Sequence, residues 1–114
     1  MSMNIKIRHV EGVTVMDLSG RITLGEGSIA LREAVREALA AGSKKILLNV
    51  ADVNYVDSAG LGELVGAYTS VKNAGGNLKL LNISKKIKDL LVITKLVTVF
   101  EVRDNEKEAI ATFG

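Results

Sequence analysis

The sequence predicts an α/β fold: a mixed β-sheet, antiparallel in an N-terminal hairpin and parallel afterwards, covered by about four helices. Three observations lead there. Two β-rich runs near the N-terminus are separated only by Glu11-Gly12, the spacing of a hairpin. From Gly27 onward, segments of helical period alternate with short apolar runs, the pattern of strands joined by helical crossovers. Glycines at Gly42 and at Gly75-Gly76 fall where those helices must stop. A chain of 114 residues, 47% hydrophobic and 25% charged, is the size and composition of one globular domain, spanning residues 1–114. Such a chain buries roughly two thirds of the surface its unfolded form exposes.

Each element has its own signal. Ile5, Ile7 and His9 alternate with Lys6, Arg8 and Val10, a strand of period two. Val13 to Leu18 is the second strand, and Ser19-Gly20 ends it. Arg21 to Leu24 reads as a short extended piece. Gly27-Ser28 opens a helix with Ser28 as N-cap. Its apolar face is Leu31, Val35, Ala38 and Leu39. Ile46 to Val50 is almost wholly apolar, as suits a strand buried on both faces. A polar loop, Ala51 to Asp57, follows. Asp57-Ser58 starts the second helix, which carries Leu61, Leu64, Val65 and Tyr68 on one face. Leu78 to Leu81 is a strand. Ser84 caps a third helix with Ile87, Leu90 and Leu91. Val97 to Val102 returns to strand, and Asp104 caps a last helix through Ala109 and Ile110.

Composition excludes several classes of function. The net charge is +2 with a pI near 9.0, but two charges on this surface make a weak field. Lys44, Lys45, Lys85, Lys86, Lys88 and Lys95 are dispersed, and four aromatic residues make no stacking platform, so direct nucleic-acid binding is not expected. Without cysteine there is no disulfide, thiolate or zinc-thiolate chemistry, which fits the cytoplasm. Met1 to Val10 lacks the apolar stretch of a signal peptide, and no apolar run approaches the ~20 residues that cross a membrane. His9, the one histidine, has no nucleophile signal near it, so no catalytic triad and no metal site is expected. No cofactor is implied.

The segment Asn54-Tyr55-Val56-Asp57-Ser58-Ala59-Gly60-Leu61-Gly62 carries the chemistry. It should lie where the parallel strands present their carboxyl ends, the rim at which open α/β sheets build sites. Ser58 at a helix start has an exposed hydroxyl beside free backbone N–H groups and a positive dipole end. An anion attached there would find donors waiting. Gly60 and Gly62 let another backbone approach. Each residue also has a plain structural reading: Asp57 and Ser58 as caps, Leu61 as core, the glycines as relief of crowding between helix and sheet.

Asp57-Ser58-Ala59-Gly60-Leu61-Gly62, after a buried strand, resembles the signature of the STAS domain family. Val13 to Ile22, Asn77 to Asn82 and Asp104 to Ala109 fall in the family's order, so the resemblance covers nearly the whole chain. It implies a STAS fold and a non-enzymatic, phosphoregulated anti-sigma-factor antagonist. In such proteins the serine after the aspartate is phosphorylated, and Ser58 occupies that place. Ser58-Ala59 stands where the sporulation antagonist often has two serines, which removes one alternative acceptor. The resemblance implies an anti-sigma factor with serine-kinase activity and a serine phosphatase as partners. The chain itself would be a monomer or weak homodimer. Partner contacts are expected at Thr23, Asn54, Tyr55, Asp57, Ser58, Ala59, Gly60, Leu61 and Gly62.

Rival readings are weaker. Gly25-Glu26-Gly27-Ser28-Ile29-Ala30 fits G-x-G-x-x-A with Asp52 further on, but Glu26 would face the pyrophosphate and the preceding strand belongs to a hairpin. A receiver domain with Asp57 as acceptor would need an acidic pair after the first strand, where the chain has His9-Val10-Glu11-Gly12. A STAS adaptor in a stressosome-like or lipid-transport complex is the remaining alternative.

Overall fold

A computed structural model of the chain describes residues 3–114. Met1 and Ser2, where the N-terminal alternation begins, lie outside the described residues. The elements are β1 (Met3–Val10), β2 (Val13–Ile22), α1 (Glu26–Ala40), β3 (Lys45–Val56), α2 (Ser58–Asn73), β4 (Asn77–Leu81), α3 (Lys85–Ile93), β5 (Val102–Arg103) and α4 (Glu106–Ala111). They form one sheet of order β1-β2-β3-β4-β5. β1 and β2 are antiparallel, and each later pair is parallel. The hairpin has a two-residue loop between Val10 and Val13, with Glu11 at φ 48° and Gly12 at φ 81°. Two positive φ angles match the twist of the strands they join.

The sheet buries its faces unequally. One face receives α1, α2 and α3 over a core that includes Met16, Leu18, Leu31, Ile46, Leu48, Leu64, Leu80 and Leu91. On the other, Val13, Val15, Leu47 and Leu81 pack under Ala109 and Ile110 of α4 and under Phe113. The period of two along β2 is visible in this division, with Val13 and Val15 on one side and Met16 and Leu18 on the other. α4 covers only part of its face. Beyond it the sheet is polar, and Arg8 there bonds Asp17 (2.6 Å) and Glu106 (2.7 Å).

Several boundaries differ from the sequence reading. β2 does not end at Ser19-Gly20; it runs to Ile22, with register shifts around Asp17–Ser19 and Gly20–Arg21 and with Gly20 at φ 101°. The expected polar loop from Ala51 to Asp57 is strand as far as Val56, paired with β2 through Gly20↔Val53 and Ile22↔Val56. β4 accompanies β3 only as far as Asn49↔Leu81. Past that point β3 emerges from cover, which explains its polar composition without a loop. Helix α1 begins at Glu26, not at Ser28, with Gly25 (φ 94°) at its N-cap position. Ser28 is buried instead, and its hydroxyl donates to the Thr23 carbonyl at 2.8 Å. The strand expected over Val97 to Val102 is reduced to Val102–Arg103. Its apolar residues Val99 and Phe100, with the preceding Leu96, pack against the core from irregular backbone. Asn105, not Asp104, caps α4, accepting from the Glu108 amide at 3.0 Å.

Candidate functional site

β3 delivers the chain to the carboxyl-end rim at Val56, and α2 starts at once. Between them Asp57 adopts extended backbone, as an N-cap requires. Its two carboxylate oxygens do different work. Oδ1 accepts from the Gly60 amide at 2.7 Å and caps α2. Oδ2 accepts from the Leu24 amide at 3.1 Å and holds the β2–α1 loop. The Asp57 amide donates to the Ile22 carbonyl at 3.3 Å. The Gly60 and Leu24 N–H groups hold the Asp57 carboxyl below the usual carboxylate range, because they bind its charged form. Asp57 is therefore the joint between the two rim loops.

Ser58 is the first residue of α2 and is exposed. Its hydroxyl makes no hydrogen bond among the described residues. Thr23, half-buried, turns its carbonyl to the Ser28 amide and hydroxyl. Asn54 and Tyr55 lie exposed on the last residues of β3, and the Arg21 guanidinium stands 5.0 Å from the Tyr55 ring centroid. Ala59 is half-buried. Gly60 and Leu61 turn inward: Leu61 is 8% exposed, and a Cβ on Gly60 would lie 1.9 Å from the Ile22 carbonyl oxygen. Gly62 faces open space. The structure thus brings Thr23, Asp57, Ser58, Ala59 and Gly62 to one surface, with Asn54 and Tyr55 beside it. It gives Gly60 and Leu61 to the interior of the same turn.

Two apolar residues at this rim were missed in the sequence. Leu24 is 80% exposed in the loop that Asp57 holds. Ile29 is 48% exposed on the first turns of α1. It lies one turn nearer the rim than Arg32, which bonds Glu63 of α2 at 2.8 Å. A signal existed for both: Leu24 sits alone beside Gly25, and Ile29 falls off the Leu31, Val35, Ala38 face. Chemically, the rim offers a hydroxyl without a base. Asp57 is engaged by backbone amides, and His9 pairs with Thr14 at the far end of β2 from Ile22. Neither Asp57 nor His9 is therefore placed to activate the Ser58 hydroxyl.

The fold and site are those of a small α/β domain with an exposed serine at the start of a helix on its rim. The STAS domain family model matches residues 4–109, and the chain belongs to that family. It is 31% identical over 102 residues to the anti-sigma-B factor antagonist of Bacillus subtilis, covering 90% of this chain and 92% of that one. An anti-sigma factor antagonist from Mycobacterium paratuberculosis shares the fold at a TM-score of 0.82 and 18% identity, over 98% of this chain and 94% of that one. The phosphorylated form of the Bacillus cell fate determinant SpoIIAA does so at a TM-score of 0.74 and 21% identity, over 96% and 98%. Among the described residues no helix is long and apolar enough to cross a membrane.

Proposed function

We propose that this chain is a cytoplasmic anti-sigma-factor antagonist whose binding is switched at Ser58. Unphosphorylated, it binds an anti-sigma factor that is also a serine kinase, and the sigma factor is freed. That kinase phosphorylates Ser58, the complex separates, and a serine phosphatase resets the cycle. One observation carries the reading: Ser58 is exposed at the first turn of α2, and the resemblance to the family's signature implies that this serine is the one phosphorylated. The existence of a phosphorylated form of SpoIIAA, a protein of the same fold, supports it.

Magnitudes indicate how the switch works. A phosphate adds roughly −1.5 to −2 charges. The N-terminus of α2 favours that charge by about 0.3–1 kcal/mol, so the fold tolerates it. Burying it unpaired against a partner costs several kcal/mol, and each 1.4 kcal/mol is about tenfold in affinity. The interface term is larger, so phosphorylation acts by blocking contact. The test is intact-mass measurement of wild type and Ser58→Ala after incubation with ATP and each anti-sigma-type kinase of the source genome. One added phosphate on wild type alone supports the switch. No added phosphate with any kinase overturns it and favours an unregulated adaptor.

A further inference from the structure

β1 is the edge of the sheet, so one side of its backbone has no strand partner among the described residues. Met3, Ile5, Ile7 and His9 line one face of it. Between that face and α1 lies an open groove of about 530 Å³. α1 turns small residues towards it, Ala30, Ala34 and Ala38, one per turn, so helix and strand do not close on each other. Ile7 is left 45% exposed. The α1 wall carries Glu33 and Glu37, also one turn apart. Neither carboxylate makes a hydrogen bond or salt bridge among the described residues, although Glu33 lies close enough to Arg32 to interact with its charge. His9 is the other titratable group lining the groove, near its end. Lys6 and Arg8 lie on the opposite face, where Arg8 is held by Asp17 and Glu106. The groove is therefore apolar with an acidic wall, on a chain whose net charge is +2.

We propose that this groove is a second docking site. It takes an extended segment of a partner protein, which adds as a strand to β1 and presents apolar and basic side chains to the α1 face. The free edge supplies main-chain hydrogen bonds, and the groove selects the side chains. The alanines and Ile7 take the apolar ones; Glu33 and Glu37 take the cations. A second copy of this chain fits poorly, because two-fold pairing of β1 with itself would face one acidic wall with the other. α1 separates the groove from Ser58: Arg32 faces α2, while Glu33 lines the groove. Docking here is consequently independent of the switch.

The probe is a short acetylated peptide in which threonine alternates with isoleucine and lysine in turn. Titration into the ¹⁵N-labelled chain should give saturable shifts of the Ile5, Ile7, Glu33 and Glu37 amides. Glu33→Gln with Glu37→Gln should weaken binding about fivefold, as two surface charge pairs imply, with an unchanged urea midpoint. Replacing the peptide's lysines by glutamates should weaken it at least as much, and Ser58→Glu should leave it unaltered. The proposal is overturned by unsaturable or scattered shifts, by shifts centred on Leu24 and Ser58, or by equal affinity for the basic and acidic peptides. Concentration-dependent shifts of β1 without peptide would assign the edge to a second copy and overturn it equally. None of these results depends on Ser58 being phosphorylated.

Discussion

Gly60 and Gly62 stand two residues apart in α2 and meet opposite surroundings. A Cβ on Gly60 would collide with the Ile22 main chain, 1.9 Å from its oxygen and 2.7 Å from its carbonyl carbon. Backbone cannot move aside as a side chain can, so α2 would have to lift from β2. Gly60→Ala should lose about 1–3 kcal/mol or more. Gly62 has nothing within 4 Å, and alanine is the better helix former by about 1 kcal/mol. Gly62→Ala should stabilise. Urea midpoints of the two variants check the contrast. Asp57 gives a different test at the same scale. Asn at 57 retains one acceptor oxygen, so α2 keeps its cap while the Leu24 amide loses its partner. Asp57→Asn should speed hydrogen exchange at Leu24 and leave helix content unchanged; unaltered exchange at Leu24 would contradict the role of Asp57 as a joint.

At the scale of elements, α4 is six residues long and cannot be stable alone. Packing of Ala109 and Ile110 holds it, together with the Arg8 guanidinium that joins Glu106 of α4 to Asp17 of β2. Both carboxyls lie below the usual range, chiefly because Arg8 donates to them. The sign follows from linkage: their folded-state pKa values are depressed, so their contribution is complete above the ordinary carboxylate range. It is lost as pH falls below that range and through the folded values. Stability should therefore drop on the acid side, and Arg8→Met should flatten that drop while lowering stability at neutral pH. Each group is about one third exposed, so the effect is modest. Urea unfolding of both proteins at neutral and acid pH measures it. α3 offers a simpler case. Ser84 accepts from the Ile87 amide at 3.2 Å, and Ser84→Ala should cost about 1 kcal/mol.

The whole molecule rests on one large core and one small one. Leu64 lies in the large core beneath α2 and is 1% exposed; Ile110 borders the small one at 8%. Leu64→Ala should cost roughly 2–5 kcal/mol, and Ile110→Ala less, because a site at the margin of α4 can relax or admit water. Equal losses would mean that α4 is as integral as α2. This inequality has a functional side. The rim with Ser58 is built on β3 and α2, which contribute Leu48, Val50, Leu61 and Leu64 to the large core. The small core covers only part of the opposite face and leaves Lys6, Arg8, Asp17 and Asn49 at its open side.

What was legible in the sequence was whatever depends on neighbours along the chain. The hairpin followed from Glu11-Gly12, the apolar faces of α1 and α2 from their spacing, and the position of Ser58 at a helix start from Asp57 beside it. The family resemblance, carried by the hexapeptide and its flanking strands, agreed with the match over residues 4–109. What only tertiary structure decided depends on partners far apart in the chain. Asp52 and Asn54 look like loop residues, but β3 runs through both, held by the pairing of Asp52, Val53 and Tyr55 with β2. Val97 to Phe100 look like a strand, but on that side β4 pairs only with Val102–Arg103, and Val99 and Phe100 turn onto the core. Ser28 has the composition of a cap, yet the helix starts two residues earlier, at Glu26, and the close approach of Gly27 to the Arg21 carbonyl goes with Ser28 being buried in the first turn. The second oxygen of Asp57 reaches a loop thirty-three residues away. Local propensity fixes where elements begin to form; the sheet's pairing and the space between layers fix where they end and which side chains meet.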